Sequence, residues 1–205
     1  MSLYADRIFP YLMDWTLSRS RFRELRREAL ATAHGSVLEI GFGTGLNLPH
    51  YPGAVTKLTV LDPAVLLPAK VARRIASVSM PVDVRHLAAE VLPFEDDRFD
   101  CVVSTFALCT IPDPVAALLE VRRVLKPDGR YLFLEHGRSD DARVAGWQDF
   151  FNPLQQRLAC GCNLNRPIDA LIRGAGLQVN RLDRFRLESV PRIVGEMYRG
   201  VANRT

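Results

Sequence analysis

The sequence predicts an α/β fold: a mainly parallel sheet with helices on both faces. Three observations predict it. Short apolar runs alternate with helical segments along the chain, the pattern of successive β-α units. A glycine-rich turn, Gly41-Phe42-Gly43-Thr44-Gly45, follows the first apolar run and precedes a short helical segment. The 205 residues, 48% hydrophobic and 24% charged, suit one domain with a full core.

The elements run in order along the chain. Residues about 14–33 read as one helix, with Leu17, Phe22, Leu25 and Ala29 near helical spacing. Ser36–Ile40 reads as a buried strand, and Lys57–Leu61 as a second, ended by Asp62-Pro63. Residues about 64–78 carry Leu67, Val71 and Ile75 on one helical face. Val82–Leu87 and Phe99–Ser104 are the third and fourth strands. Asp113 can cap the next helix, Pro114 suits its first turn, and Lys126-Pro127 stops it. Asp128-Gly129 turns the chain into a fifth strand, Arg130–Glu135. Residues about 144–159 and 166–175 read as helices. A sixth strand near Leu177–Leu187, a loop over 188–196 and a last strand at Met197–Asn203 complete the pattern.

Composition narrows the classes of function. No apolar run reaches the roughly 18 residues of a membrane span. Met1 to Met13 holds Asp6, Arg7 and Pro10 and no apolar core of a signal peptide, so a cytoplasmic location is expected. Cys101, Cys109, Cys160 and Cys162 are read as reduced thiols, mostly packed. Cys160-Gly161-Cys162 is too tight for a zinc knuckle and has no second pair, so no metal site is expected. The net charge of +4 is concentrated in Arg19, Arg21, Arg23, Arg26 and Arg27 and in Arg181, Arg184 and Arg186. Without interleaved aromatics these clusters do not read as a nucleic-acid surface. The N-terminal basic helix reads as a solvated face, with peripheral contact to an acidic membrane surface as the alternative.

The glycine turn carries the functional signal. Gly41, Gly43 and Gly45 permit positive φ and close backbone approach to a ligand, and helix N-terminal amides would face the loop. Asp62 stands 17 residues beyond Gly45, at the end of the next strand with Pro63 beside it. A carboxylate there accepts hydrogen bonds from the two hydroxyls of a ribose, and it can also cap the following helix. A dinucleotide loop has glycine at the sixth position of its fingerprint, where this chain has Leu46.

The string Leu38-Glu39-Ile40-Gly41-Phe42-Gly43-Thr44-Gly45 resembles motif I of the class I S-adenosylmethionine-dependent methyltransferases. The resemblance implies a Rossmann-like methyltransferase fold with seven strands, the last antiparallel. It implies S-adenosyl-L-methionine as cofactor, with Glu39 helping to hold the cofactor's ammonium group. Ala88-Ala89-Glu90-Val91-Leu92-Pro93-Phe94 resembles the segment after the third strand in ubiquinone-type methyltransferases. There an aspartate holds the adenine amino group and the next backbone amide contacts the ring. Ala88 occupies the aspartate position, which leaves the Ala89 amide and puts Glu90 or a backbone carbonyl in the aspartate's place. Thr105 and Phe106, after the fourth strand, should line the methyl-transfer pocket, with plain core packing the alternative for Phe106. Glu120-Val121-Arg122-Arg123-Val124-Leu125-Lys126-Pro127-Asp128-Gly129-Arg130 matches the family's helix-turn-strand and says nothing of chemistry. The expected organisation is an N-terminal helical segment, 1–35, and a class I methyltransferase domain, 36–205, forming a single domain overall.

A narrower resemblance lies downstream. Leu134-Glu135-His136, Trp147-Gln148-Asp149-Phe150-Phe151-Asn152-Pro153 and Gly161-Cys162-Asn163-Leu164-Asn165-Arg166 are similar to the alkyl-thiol S-methyltransferases, as is Ala107-Leu108-Cys109. Those relatives carry an apolar N-terminal anchor that this sequence lacks, so their membrane attachment is not expected to carry over. The resemblance implies a small, fairly apolar acceptor, a thiol first. Alternatives are an aminophospholipid or another N-, C- or O-acceptor, and a non-catalytic cofactor-binding module. His136, at the end of the fifth strand, is the candidate general base, or else a histidine bonding a neighbouring loop. Trp147, Phe150 and Phe151 are expected to wall an apolar pocket, form a lid or provide the core stripe of a helix. Asn163 and Arg166 are expected to shape the loop over the pocket or the start of the next helix.

Overall fold

The computed structural model describes residues 4–188 and 190–204. Its strands are β1 (Gly35–Ile40), β2 (Val55–Leu61), β3 (Val82–Arg85), β4 (Phe99–Thr105), β5 (Leu125–His136), β6 (Leu177–Arg186) and β7 (Glu196–Arg204). They form one sheet in the order β3-β2-β1-β4-β5-β7-β6. The first five pair in parallel, and β7 runs antiparallel to both β5 and β6. The seven-stranded Rossmann-like expectation holds, including the antiparallel last strand.

Alternation builds the two layers. Successive residues of a strand point to opposite faces. Leu38, Val102 and Phe133 pack on one face with Leu118 and Val121 of α4 (Pro114–Val124) and Ile172 of α6 (Ile168–Gly174). Val37, Val103 and Leu132 pack on the other, with Leu30 of α2 (Ser20–Leu30) and Val71 and Ile75 of α3 (Pro68–Ala76). The middle strands are thus buried on both sides, as a parallel sheet requires. The Asp113 cap of α4 is present, its Oδ1 accepting from the Val115 and Ala116 amides at 3.1 and 3.0 Å.

Two expected helices differ. The single helix over 14–33 is two helices, α1 (Phe9–Leu17) and α2, parted where Arg19 turns extended at φ −63°, ψ 154°. The break is stabilised by its neighbours. Arg26 donates to the Leu17 carbonyl at 3.0 Å, satisfying an acceptor that the end of α1 leaves open. The helix expected over 64–78 is α3, shorter because Leu67 adopts φ +42° before Pro68. Among the described residues no helix is long and apolar enough to cross a membrane.

The chain steps outward from β1 through β2 to β3, then returns to β4 on the other side of β1. That reversal opens a crevice beyond the carboxyl ends of β1 and β4, where open α/β sheets bind ligands.

Candidate active site

The glycine turn lies in this crevice. Gly41, Gly43 and Gly45 all hold positive φ, at 72°, 58° and 80°. Gly41 lets the loop pass close to the neighbouring strand's exit, since a Cβ there would stand 2.3 Å from the Ala107 Cβ. A Cβ on Gly43 would meet nothing within 4 Å, so this side of the loop is an open cradle. A single 3-10 turn, Leu48–His50, succeeds the loop in place of a helix. The anion-binding helix terminus of a dinucleotide site is therefore missing, which suits a cofactor without a pyrophosphate.

Asp62 faces the cradle. Its Oδ2 accepts from the Gly43 amide at 2.7 Å and its Oδ1 from the Ala64 amide at 2.9 Å. Burial raises its pKa against those two bonds. A carboxylate offers about four lone-pair sites, so acceptor capacity remains for two hydroxyls. Pro63 beside it is exposed.

Glu39 is buried at the end of β1. It accepts from Asn47 Nδ2 at 2.9 Å and from the Tyr51 hydroxyl at 2.7 Å. Burial pushes its pKa up to about 7, against those hydrogen bonds and the charge of Arg26. An ionised Glu39 therefore gains from any further cation brought against it. Asn47 also donates to Thr105 Oγ1 at 3.0 Å, so Thr105 is buried beneath Asn47 at 8% exposure.

The N-terminal helices roof the crevice. The buried Asp14 of α1 accepts from Thr44 Oγ1 at 2.7 Å and from Lys70 and Arg74, each at 2.6 Å. Burial would raise its pKa, but these partners hold it at about 2. The carboxylate thereby fastens α1 to the glycine turn and α3. Phe106 has φ +55°, a left-handed conformation uncommon outside glycine. Its ring is enclosed by Phe22, edge-on at 5.7 Å, and by the Arg26 guanidinium at 5.1 Å.

Arg26 corrects the expectation of a solvated basic face. It is 3% exposed, burial lowers its pKa to about 10, and its Nε has no partner among the described residues. With Arg23, Arg74, His50, Leu17 and Leu46 it lines a cavity of about 190 Å³ between α1, α2, α3 and the 3-10 turn that follows the glycine turn. Sequence spacing gives no sign that one of five clustered arginines turns inward.

On the adenine side, Ala88 is exposed and Ala89 buried. Glu90 reaches towards the Asp113 amide at 3.4 Å. Arg123, from the helix-turn-strand signature, donates to the Leu92 and Phe94 carbonyls at 3.0 and 2.7 Å. That signature thus pins the segment expected to contact adenine.

The ends of β4 and β5 form a second corner. His136 stands where expected, but its Nε2 lies 3.0 Å from Cys162 Sγ. Burial works to lower its pKa, while the Cys162 bond raises it overall. The Cys109 thiol completes a cluster in which the three ligand atoms all lie within 4.8 Å of one another. Asn163 and Arg166 shape this corner. The Asn163 amide and Nδ2 both donate to the Cys109 carbonyl, at 2.8 and 2.9 Å. Arg166 donates to the carbonyls of Leu108 and Ile111. Glu135 is buried beside them and accepts from the Ala107 amide at 3.2 Å, and burial pushes its pKa up to about 7.

The aromatic run in α5 (Ala142–Leu158) is not the core stripe of its helix. Trp147 and Phe150 are 57% and 71% exposed and pack mainly on each other and on Phe151. The buried side of α5 is instead Val144, Ala145 and Gln148, which is why the aromatics face outward.

A methyltransferase domain model matches residues 38–133. Thiol S-methyltransferase TMT1B of Homo sapiens is 34% identical over 178 residues, covering 77% of this chain and 70% of that protein. A phosphatidylethanolamine N-methyltransferase of Cereibacter sphaeroides is 33% identical over 113 residues, 54% of this chain and 55% of that protein. Among solved structures, a SAM-dependent methyltransferase from Thermotoga maritima aligns with a TM-score of 0.68 at 19% identity, over 97% of each chain. At that identity the likeness speaks for the fold.

Proposed function

We propose, from the premise that the chain belongs to the S-adenosylmethionine-dependent methyltransferases, that this enzyme methylates the sulfur of a small, fairly apolar thiol. The observation that carries the acceptor is the 34% identity to a thiol S-methyltransferase across 70% of its length. The site is compatible with it. A free thiol near pKa 8.5 is already a few per cent thiolate at neutral pH and needs little base. Nε2 of His136 is engaged by Cys162, so the base role expected from its position would first require that bond to break.

S-adenosylmethionine, when bound, supplies an electrophilic methyl group on a sulfonium sulfur. The chain's part is to hold the donor and aim the acceptor. In this reading Asp62 accepts from the ribose hydroxyls and the bare Gly43 gives the donor room. Glu39 balances its ammonium group, and Arg26, at the cavity wall, its carboxylate. The Ala89 amide takes the adenine ring. Phe106, held by Phe22, gives an apolar wall where the acceptor approaches.

A second reading is an aminophospholipid nitrogen as acceptor. Leu12 and Trp15 of α1 and Trp147, Phe150, Leu154 and Leu158 of α5 are all exposed. The Tyr4 hydroxyl, just before α1, donates to the Leu158 carbonyl at the end of α5 at 2.8 Å. Exposed apolar side chains of this kind, with Arg19 over the Trp15 ring, suit peripheral contact with a membrane. Incubation with labelled cofactor separates the readings. Methyl thioethers from a panel of soluble thiols, without vesicles, support the first. Label transferred only to phosphatidylethanolamine vesicles would overturn it in favour of the second.

A further inference from the structure

We propose that Cys109 Sγ, His136 Nε2 and Cys162 Sγ form a binding site for one zinc ion, with the fourth coordination position left open. The proposal does not depend on which acceptor the enzyme methylates.

The three side chains come from separate places: the turn after β4, the end of β5, and the loop after α5. β4 and β5 are neighbours in the sheet, so Cys109 and His136 leave at the same edge, and with Cys162 their ligand atoms all lie within 4.8 Å of one another. Zinc–ligand lengths of about 2.3 Å to sulfur and 2.0–2.1 Å to nitrogen imply tetrahedral edges of about 3.6 Å for S···N and about 3.8 Å for S···S. The His136–Cys162 edge is 3.0 Å. An entering ion therefore spreads this pair by roughly half an ångström, within reach of a side-chain rotation.

The surroundings hold the ligands in place. Cys160 and Gly161 take positive φ, at 49° and 96°, which turns Cys162 back towards the sheet. The Gly161 and Cys162 amides donate to the carbonyls of Gln156 and Ala159, at 2.7 and 3.1 Å. The Cys109 carbonyl is gripped twice by Asn163, and Thr110 Oγ1 lies 3.4 Å from the Cys109 sulfur. Asn163 Oδ1 in turn accepts from Asn152 and Gln156, at 3.2 and 2.6 Å. Outer partners of this kind fix ligand direction in metal sites.

Ligand chemistry selects the ion. Two thiolates and one imidazole favour zinc over the hard cations calcium and magnesium, which take oxygen ligands. Binding exchanges two thiol protons for the dication, leaving a centre of zero net charge with a neutral imidazole. The nearby Arg166 guanidinium then meets no net like charge. Three protein ligands with one position free is the arrangement of zinc sites that admit water or a substrate atom.

The test uses the full chain, reduced and freed of metal by a chelator, then titrated with cobalt(II) as a spectroscopic substitute. One equivalent is expected to give the visible bands of tetrahedral cobalt and a thiolate-to-cobalt charge-transfer band, both removed by zinc. Cys109→Ser, Cys162→Ser and His136→Asn should each weaken zinc binding by more than roughly 100-fold, beyond what loss of an outer partner costs. Cys160→Ser should bind zinc as the parent does. Alkylation of the unaltered protein, mapped by mass spectrometry, keeps the test open where a variant fails to fold: zinc should protect the half-buried Cys162 and leave Cys160 labelled as before. The proposal is overturned by a missing charge-transfer band, by binding that survives Cys109→Ser, or by labelling that zinc does not change.

Discussion

The glycine-turn corner and the thiol corner sit along the same edge of one sheet, and they are built in opposite ways. In the first the backbone makes the geometry. Positive-φ glycines clear the cradle, and the Gly43 and Ala64 amides hold Asp62. In the second, side chains from three distant segments make it, and the backbone serves to aim them. Both corners bury an acid, Glu39 in one and Glu135 in the other, each with a pKa raised to about 7 by burial. A backbone-built site is specified by a short stretch of residues. A side-chain-built site exists only once the chain has folded.

Paired glycine substitutions test the backbone half most strongly. Gly41→Ala combines a left-handed φ with a Cβ 2.3 Å from Ala107. Strain and overpacking together should cost about 2–5 kcal/mol of stability in urea denaturation. Gly43→Ala has the same sign of φ and open space, so its cost should stay near 1–2 kcal/mol. Its main effect should fall on cofactor affinity. Equal destabilisation by both would remove the distinction between a packed and an open side of the turn.

The contrast also explains what is legible in the sequence. The succession of strands and helices along the chain, the α4 cap and the Gly41–Asp62 unit obey local rules of periodicity, capping and turn chemistry, so they can be read before the fold is known. The break between α1 and α2 cannot, because it depends on Asp14 meeting Thr44, Lys70 and Arg74 across the fold. Arg26 turns inward for a similar reason, under Phe106 and against the end of α1. Cys160-Gly161-Cys162 fails as a metal motif on its own spacing. The partners of Cys162 are instead Cys109 and His136, brought in by β4 and β5. A cysteine and a histidine at the ends of adjacent parallel strands are the signal that could have found them.

The buried acids give the next effect. Each binds more protons folded than unfolded between its ordinary pKa of 4.5 and its raised value of about 7. Their contribution is therefore present below pH 4.5 and lost as pH rises to about 7, by up to roughly 3 kcal/mol for each acid. Denaturation of cofactor-free protein across this window should show the decline. Glu39→Gln should remove the Glu39 share and leave the Glu135 share. S-adenosylmethionine at saturation should likewise flatten only the Glu39 share, through its ammonium group. A variant with the slope of the parent would show that Glu39 is ionised without penalty.

The central claim, that the glycine turn and Asp62 hold S-adenosylmethionine, is tested most directly by calorimetric titration of the cofactor into the parent and into Asp62→Ala. One-to-one binding is expected, weaker in the folded variant by about 1–3 kcal/mol, or roughly 5- to 150-fold in Kd. Equal affinity in parent and variant, or no binding to the parent, would contradict the account.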